Sequence, residues 1–365
     1  MPETDRVTTL ELFFDLVFVF TITQLTSVVY RAPTLRGGAQ VVLMLGVIWW
    51  MYGGYAWMTN AVSAHTVARR LLLLGGMGGY FVLALSIPHA FDGSGLAFGL
   101  AYLLVVSVHT ALFTRAASAS VTRAIFKLAP FNVFAALVIV LGGALGGTAQ
   151  YVLWAGAGCF EWLTPVVRVN RGFDIAPAHF VERHGLVVLI AIGESVVAVG
   201  IGASHLPVDG TLVLAAVLGL ALSACLWWLY FVGDPELAER AMGAMGPIRR
   251  ARAALNAYGY AHLPILLGIV AIAAAERAAF ERPFHELSWA RAAILAGGVT
   301  AFLIGDVLLR FELGIDRGEA RVAAAALALA TTALGALACP AAQIAFLVAM
   351  LVVVTLVEPR TTRAA

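Results

Sequence analysis

Long apolar runs separated by short polar segments follow one another along the whole chain. A helix that crosses a bilayer takes about 20 residues, and twelve of the runs approach or exceed that length. They cover approximately residues 10–30, 39–58, 71–91, 96–114, 126–145, 149–169, 180–203, 210–232, 255–275, 291–310, 321–338 and 342–357. The pattern predicts an all-α, polytopic integral membrane protein with about 12 transmembrane helices.

Composition supports this class. Of the 365 residues, 61% are hydrophobic and 12% are charged, and the mean hydropathy is +0.92, whereas soluble domains carry about 25% charged residues. The loops are too short for a soluble catalytic or nucleic-acid-binding domain, so we expect the lipid bilayer as a partner and no nucleic acid. The three cysteines lie in apolar runs without a CxxC spacing. We therefore expect no disulfide framework, no metal site and no cofactor.

Basic residues are distributed unevenly between the two sides of the predicted membrane. If the N-terminus lies in the cytoplasm, 18 of the 23 Lys and Arg residues lie on the cytoplasmic side and five on the other. Because positive loops stay in the cytoplasm, this asymmetry predicts cytoplasmic N- and C-termini and an even number of spans. The N-terminal MPETDRVTT leads into a full-length span and is not typical of a cleavable signal peptide.

The two halves of the chain share several features at a nearly constant offset. The matching pairs are Trp49–Trp50 with Trp227–Trp228, Arg69–Arg70 with Arg249–Arg250, Gly79–Tyr80 with Gly259–Tyr260, and Glu11 with Glu182. They predict a tandem duplication, with one six-helix transmembrane repeat in residues 1–170 and the other in residues 171–365. Six is even, so the repeats would share one orientation and relate by an axis along the membrane normal. Chance similarity in a biased composition is the alternative.

Ionisable side chains inside the apolar runs are the candidates for chemistry. Glu11 and Asp15 lie four residues apart, so they share one face of the first helix. Glu11 is expected at the membrane interface, as are Glu182 and Arg183 at the start of the seventh run. Glu194 lies twelve residues beyond Glu182, about 18 Å deeper at 1.5 Å per residue. For Asp15 and Glu194 two explanations stay open: an acid that fastens helices together, or a group on an ion or proton path.

Other polar residues inside the runs could extend such a path. Glu161 precedes Pro165, and His262 precedes a proline in the ninth run; the imidazole can relay protons near neutral pH. Asp306 and Arg310 are four residues apart and are expected to form a structural ion pair. The tryptophans and tyrosines are assigned to packing and to the membrane interface.

Two segments resemble a known family. They are ELFFDLVFVFTITQL at residues 11–25 and HFVERHGLVVLIAIGES at residues 179–195, and both closely resemble the bacterial low-temperature-requirement A (LtrA) family of membrane proteins. The resemblance implies a multi-pass protein of a bacterial-type inner (plasma) membrane with a role in growth in the cold or stress adaptation. It implies no particular substrate.

The first helix also shows a second similarity. The segment from Glu11 to Asp15 is similar to the first-helix Phe-Ser-Asp signature of lysosomal and prokaryotic leak potassium channels. Here Phe14 replaces the serine and Thr9 stands in place of an arginine. The seventh run has no such signature.

We therefore predict a transporter that moves a small ion or a proton-coupled solute through membrane-embedded carboxylates. The predicted transport or proton-path residues are Asp15, Glu194, Glu11, Glu182, Arg183, Glu161 and His262. The alternatives are a potassium-type cation leak channel and a structural or stress-adaptation membrane protein that transports nothing. An enzyme is not expected, because HFVERH at residues 179–184 is not the HExxH zinc pattern. The sequence is compatible with a homo-oligomer.

Overall fold

Helices account for the regular structure of the protein. The computed structural model describes residues 7–61, 66–114, 119–167 and 175–358, and no strand occurs within these ranges. The helices are α1 (Thr9–Arg31), α2 (Leu35–Ala61), α3 (Val67–Ser86), α4 (Gly95–Thr114), α5 (Ala119–Leu145), α6 (Gly147–Val167), α7 (Pro177–Ala203), α8 (Gly210–Phe231), α9 (Asp234–Ala244), α10 (Pro247–Ala254), α11 (His262–Glu281), α12 (Trp289–Leu313), α13 (Glu319–Ala330), α14 (Thr332–Leu337) and α15 (Pro340–Val357). A short 3-10 turn follows α3 at Ile87–His89, and a π-helical segment, Leu255–Tyr260, joins α10 to α11.

The predicted all-α membrane architecture is confirmed. Within the described residues, eleven helices are long and apolar enough to cross a membrane. The one predicted span that is not among the eleven is the sixth, at residues 149–169, which corresponds to the 21-residue helix α6. Polar residues such as Gln150 and Glu161 distinguish α6 from its more apolar neighbours.

Side chains near helix starts explain several boundaries. Thr66 caps α3 by accepting from the Arg69 backbone N–H, and Asp209 caps α8 by accepting from Leu212 at 2.8 Å. Ser288 caps α12 in the same way. Each cap satisfies one of the backbone donors that a helix start leaves without an intrahelical partner. Gly314, with φ +70°, ends α12 in the left-handed conformation that glycine adopts without steric cost.

The ninth predicted span differs most from the sequence pattern. The structure has an almost continuous helical segment from Pro247 to Glu281, with the π-helical turns in its first half. In that part the Ala261 N–H donates to Asn256 five residues back. Pro264, which has no N–H to donate, lies just beyond, and such local adjustments accommodate a proline within a membrane helix. The helix runs past the predicted end at residue 275, so Glu276 belongs to it.

The described contacts form two compact units. Unit 1 consists of Met1–Leu25, Ala39–Val187 and Met242–Leu255. Within it, α4 packs against α3 and α5, and α5 also packs against α6. Arg250 on α10 ties this unit together by donating to the carbonyls of Met242, Met245 and Ile175, each at 3.0 Å.

Unit 2 consists of Thr26–Gly38, Val188–Ala241 and Asn256–Ala365. Its main packing is α12 against α11, α13 and α14, with α15 against α8. Glycines set the α11–α12 spacing, because a Cβ on Gly268 would lie 2.6 Å from the Gly298 carbonyl oxygen.

Each unit combines residues from both sides of residue 170. The predicted boundary between repeats, at residues 170 and 171, lies outside the described residues. The tandem duplication therefore stays a prediction.

Candidate functional site

A buried arginine joins the two acids of the first helix. Glu11 and Asp15 are one helical turn apart on α1, so both face Arg183 on α7. The Arg183 guanidinium donates to Glu11 Oε1 at 3.0 Å and to Asp15 Oδ1 at 3.3 Å. Arg183 and Asp15 are both 0% exposed and Glu11 is 5% exposed. We call these three residues the unit 1 ion cluster.

Glu11 also closes the start of α1. Its carboxylate accepts from the Thr8 backbone N–H at 2.9 Å and from the Thr8 hydroxyl at 2.8 Å. In return, the Thr8 hydroxyl accepts from the Glu11 backbone N–H at 3.3 Å. This reciprocal pattern is a capping box. Glu11 is therefore an anchor for both the helix start and the arginine.

The neighbouring histidine is a neutral donor to Glu11. Asn60 accepts from the Ala176 N–H at 3.0 Å and donates to the Ala176 carbonyl at 3.2 Å, which fixes the orientation of its amide. The Asn60 amino group thus donates to His179 Nδ1 at 3.3 Å. Because Nδ1 accepts, the His179 proton lies on Nε2, 3.3 Å from Glu11 Oε1.

Aromatic and hydroxyl groups complete the surroundings of Asp15 and Arg183. The Tyr52 hydroxyl donates to Asp15 Oδ1 at 2.9 Å, and Arg183 also donates to the Thr59 hydroxyl. The guanidinium lies 5.5 Å from the ring centroid of Phe14 and 5.7 Å from that of Tyr52. Both distances are within the range of cation–π attraction. The aromatic residues from α1 and α2 therefore shield the ion pairs and also stabilise the arginine.

Charges in the unit 1 ion cluster do not balance when both acids are ionised. One guanidinium faces two carboxylates, and His179 is neutral in the arrangement described above. Among the described residues, Asp15 Oδ2 and Arg183 Nε have no hydrogen-bond partner. Buried polar atoms are normally satisfied. The cluster can therefore take up one further positive charge, and the Asp15 carboxyl offers an oxygen for a proton or a small cation.

Glu161 is a second buried acid of unit 1. It is 1% exposed on α6, and its Oε1 accepts from the Tyr102 hydroxyl of α4 at 2.7 Å. Its Oε2 has no hydrogen-bond partner within the described ranges. Asp15 and Glu161 thus share one arrangement, in which a tyrosine hydroxyl donates to one oxygen while the other oxygen is unpartnered.

Glu194 and Glu276 are buried acids of unit 2. Glu194 on α7 is 8% exposed, whereas Ser195 and Glu276 are 0% exposed. Ser195 lies beside Glu276. Within the described ranges, neither the Ser195 hydroxyl nor the two Glu276 oxygens have a hydrogen-bond partner. The sequence reasoning missed Glu276, because the apolar run was ended one residue before it.

His262 is bonded through both ring nitrogens in unit 2. Its Nδ1 lies 2.8 Å from the Ala257 carbonyl oxygen, which can only accept, so Nδ1 carries a proton. Its Nε2 lies 2.7 Å from the Tyr230 hydroxyl. The predicted path residue is thus bonded to a backbone carbonyl and a tyrosine.

The predicted pair of Asp306 with Arg310 is not among the ion pairs of the described residues. Asp306 pairs with Arg321 of α13, whereas Arg310 donates to Asp234 at 2.5 Å. Arg321 also lies 3.4 Å from Asp234. The four-residue spacing therefore did not predict the partner of either residue, because both form ion pairs with other segments of the chain.

The same network extends to the end of α15 and to the loop after α12. Arg321 donates to both oxygens of Glu358 at 2.9 Å. Arg310 donates to Asp316, at 3.0 Å from its Nε. These hydrogen bonds from Arg310 lower the pKa of Asp316 below its ordinary value.

The structure adds surroundings that the sequence did not indicate for several predicted residues. Glu11 and Arg183 are buried within unit 1, because each is the ion-pair partner of the other, while their depth in the membrane stays a prediction. Glu182 is exposed and accepts from the Val7 backbone N–H at 3.2 Å, so it does not share the environment of Glu11. The tyrosines were assigned to packing and to the membrane interface, with no chemistry, yet Tyr52 and Tyr102 donate to buried acids.

The comparisons with known proteins agree with the resemblance found in the sequence. No solved structure matches the chain. An uncharacterized protein of Rhizobium meliloti (strain 1021) is 29% identical over 315 residues, which cover 82% of this chain and 76% of that protein. The family model described as "Bacterial low temperature requirement A protein (LtrA)" matches residues 6–356. The protein is thus a multi-pass membrane protein that belongs to the bacterial low temperature requirement A family.

Proposed function

We propose that the protein is a transporter that moves a small ion or a proton-coupled solute, and that Asp15 is the group that binds and releases the proton or cation. The proposal places both termini in the cytoplasm of a cell with a bacterial-type inner membrane, as the distribution of Arg and Lys predicts. It treats the activity as movement of a solute, with no covalent chemistry.

The excess carboxylate in the unit 1 ion cluster supports this proposal. Glu11 and Arg183 alone make a neutral, well-bonded pair that can fasten α1 to α7. Burying Asp15 beside them adds a desolvation cost of several kcal/mol for the ionised form. Fastening the helices does not require a second buried carboxylate. Exchange of a proton or cation does require a carboxyl that alternates between a charged and a neutralised form.

Asp15 also has the features of an exchangeable group. One oxygen is held by Tyr52 and Arg183, which fix its position, and the other has no partner in the described part of the chain. A proton or small cation that binds Oδ2 would balance the charge of the cluster. Glu11, by contrast, has several hydrogen bonds to its two oxygens.

The test is flux through the purified protein reconstituted in liposomes, measured separately for protons, K⁺ and Na⁺. The variant is Asp15→Asn, which keeps the size and the Tyr52 hydrogen bond but removes the charge. The matched control is Asp92→Asn, which makes the same acid-to-amide change at an exposed aspartate of the same unit. We expect the first variant to lose the flux and the second to keep it.

Two results would contradict the proposal: no flux of any of the three ions, or full flux in Asp15→Asn. The rate distinguishes the two kinds of transport. A leak channel conducts down the gradient without saturating over the tested range, whereas a carrier saturates with substrate.

A further inference from the structure

The Tyr80 hydroxyl is a buried polar group that makes no hydrogen bond to the unit 1 ion cluster. Tyr80 lies on α3 and is 1% exposed, and its hydroxyl has no hydrogen-bond partner among the described residues. Its ring lies 5.3 Å from the ring of Phe14 and 5.8 Å from that of Tyr55, measured between centroids. The Phe18 ring lies 5.9 Å from the Tyr80 ring and 4.3 Å from the Tyr52 ring, so it contacts both tyrosines. Tyr80 thus lies in the region between the two buried acids of unit 1.

Two further tyrosines connect this region to the acids. Tyr52 donates to Asp15 at 2.9 Å, and Tyr102 donates to Glu161 at 2.7 Å. On the other side, α3 packs against α4, and a Cβ on Gly79, next to Tyr80, would lie 3.6 Å from the carbonyl oxygen of Ala101, next to Tyr102. In the order Asp15, Tyr52, Tyr80, Tyr102, Glu161, three hydroxyls thus stand between two carboxyls, and every member belongs to unit 1.

We propose that Tyr52, Tyr80 and Tyr102 form a relay that transfers a proton between Glu161 and Asp15. A tyrosine hydroxyl can donate one hydrogen bond and accept others, so each can pass a proton on. The Tyr80 hydroxyl makes no direct hydrogen bond to Tyr52 or Tyr102, so a bridging water molecule on each side connects it to the two pairs. The inference rests on the proposed function and deepens it, because it makes the proton the species that Asp15 exchanges.

The transfer leaves the tyrosines unchanged. Glu161 gives its carboxyl hydrogen to the Tyr102 oxygen, and Tyr102 passes its own hydroxyl hydrogen to the first bridging water, which passes one of its hydrogens to the Tyr80 oxygen. Tyr80 passes its hydrogen through the second water to Tyr52, and Tyr52 passes its own to the Asp15 carboxylate. Each tyrosine and each water gains one hydrogen and loses one. Glu161 therefore becomes a carboxylate, Asp15 becomes a neutral acid, and no redox partner is needed.

The chain offers a closely matched control for Tyr80. Tyr55 is buried beside the same rings, but its hydroxyl donates to the Val105 backbone carbonyl at 2.9 Å and is not part of the row. Tyr80→Phe and Tyr55→Phe thus remove one buried hydroxyl each at almost constant volume. The loss of a positioned proton-transfer group typically slows a step by about 100-fold or more.

The experiment measures proton flux in liposomes for the wild type, Asp15→Asn, Tyr80→Phe and Tyr55→Phe. We expect Tyr80→Phe to lower proton flux by at least about tenfold and Tyr55→Phe to keep the wild-type rate. Gel filtration in detergent checks that each variant is folded. If Tyr80→Phe does not fold, Tyr102→Phe interrupts the same row beside Glu161.

The outcomes separate the relay from the function on which it rests. Wild-type proton flux in Tyr80→Phe or in Tyr102→Phe, with flux lost in Asp15→Asn, overturns the relay and leaves the proposed function standing. Flux of K⁺ or Na⁺ without proton flux also overturns the relay and leaves the proposed function standing. Full flux in Asp15→Asn overturns the proposed function itself.

Discussion

Removing the Arg183 side chain tests whether it neutralises the two acids of α1. The guanidinium lies 3.0 Å from Glu11 and 3.3 Å from Asp15 and is fully buried. With an effective dielectric constant of about 20, each pair attracts by about 5 kcal/mol, and desolvation of the ions offsets part of this. Arg183→Met keeps apolar packing but leaves buried carboxylates unpaired. We expect a loss of about 3–5 kcal/mol in the free energy of unfolding.

The assay is reversible unfolding of the purified protein in mixed detergent micelles, followed by circular dichroism as the denaturing detergent is increased. The control is Arg282→Met, which changes an exposed arginine and should alter stability by less than about 0.5 kcal/mol. A second arm combines Arg183→Met with Asp15→Asn. Because the double variant has one fewer unpaired carboxylate, we expect it to recover about 1 kcal/mol or more relative to Arg183→Met.

Two results would refute this reasoning. A loss below about 1 kcal/mol in Arg183→Met, no larger than an average substitution, would show that the ion pairs contribute little. Additive losses in the double variant would show that Asp15 does not depend on Arg183. In either case, the excess charge of the unit 1 ion cluster could no longer support a role for Asp15.

Two further predictions concern unit 2. A Cβ on Gly298 would lie 2.9 Å from the Gly268 carbonyl oxygen, whereas a Cβ on Gly297 meets nothing within 4 Å. Gly298→Ala should therefore lower the free energy of unfolding by about 1–3 kcal/mol, and Gly297→Ala should leave it unchanged or raise it by up to about 1 kcal/mol, as measured by the same unfolding assay. Hydrogen bonds from Arg310 lower the pKa of Asp316 in the folded protein. The ionised carboxylate therefore stabilises the fold above the unfolded-state pKa of about 4. This contribution is lost as the pH falls through the lower folded-state pKa. Wild type should melt at a higher temperature than Asp316→Asn at pH 7, and this advantage should shrink below about pH 4; a constant difference across that range would contradict the role of the ionised carboxylate.

The sequence was sufficient for the membrane architecture because apolar length is a local property. All twelve predicted runs correspond to helical segments, since backbone groups in a bilayer must be satisfied within the helix itself. The ends were harder to predict. Glu276 and Arg277 looked like the end of a run, yet α11 continues to Glu281, because packing within unit 2 can bury an acid that hydropathy alone places outside.

The acids were predictable in part. The four-residue spacing of Glu11 and Asp15 correctly indicated a shared face, since that follows from helix geometry. Their partner, Arg183, lies 168 residues from Asp15, and no local pattern can identify such a pair. The same limit explains Asp306, for which the nearest arginine in the same helix was chosen although the partner lies on α13.

The tyrosines show most clearly what periodicity cannot distinguish. A buried tyrosine contributes an apolar ring in every environment, and only the group that its hydroxyl meets determines whether it also has a polar role. Tyr55 meets a backbone carbonyl and so completes packing, whereas Tyr52 and Tyr102 meet acids.

The acids of unit 1 then divide according to how fully they are bonded. Glu11 has protein donors for both oxygens, including a capping box and an arginine, so changing its charge would disturb the helix start as well as the ion pair. Asp15 and Glu161 each receive one tyrosine hydroxyl and keep one unpartnered oxygen in the described structure, so a change in the charge of either acid leaves a tyrosine hydroxyl within hydrogen-bond distance. A cluster built only to fasten helices would favour acids bonded like Glu11. The presence of two acids of the other kind, in the same unit and with tyrosines in the region between them, is what a site for proton exchange requires.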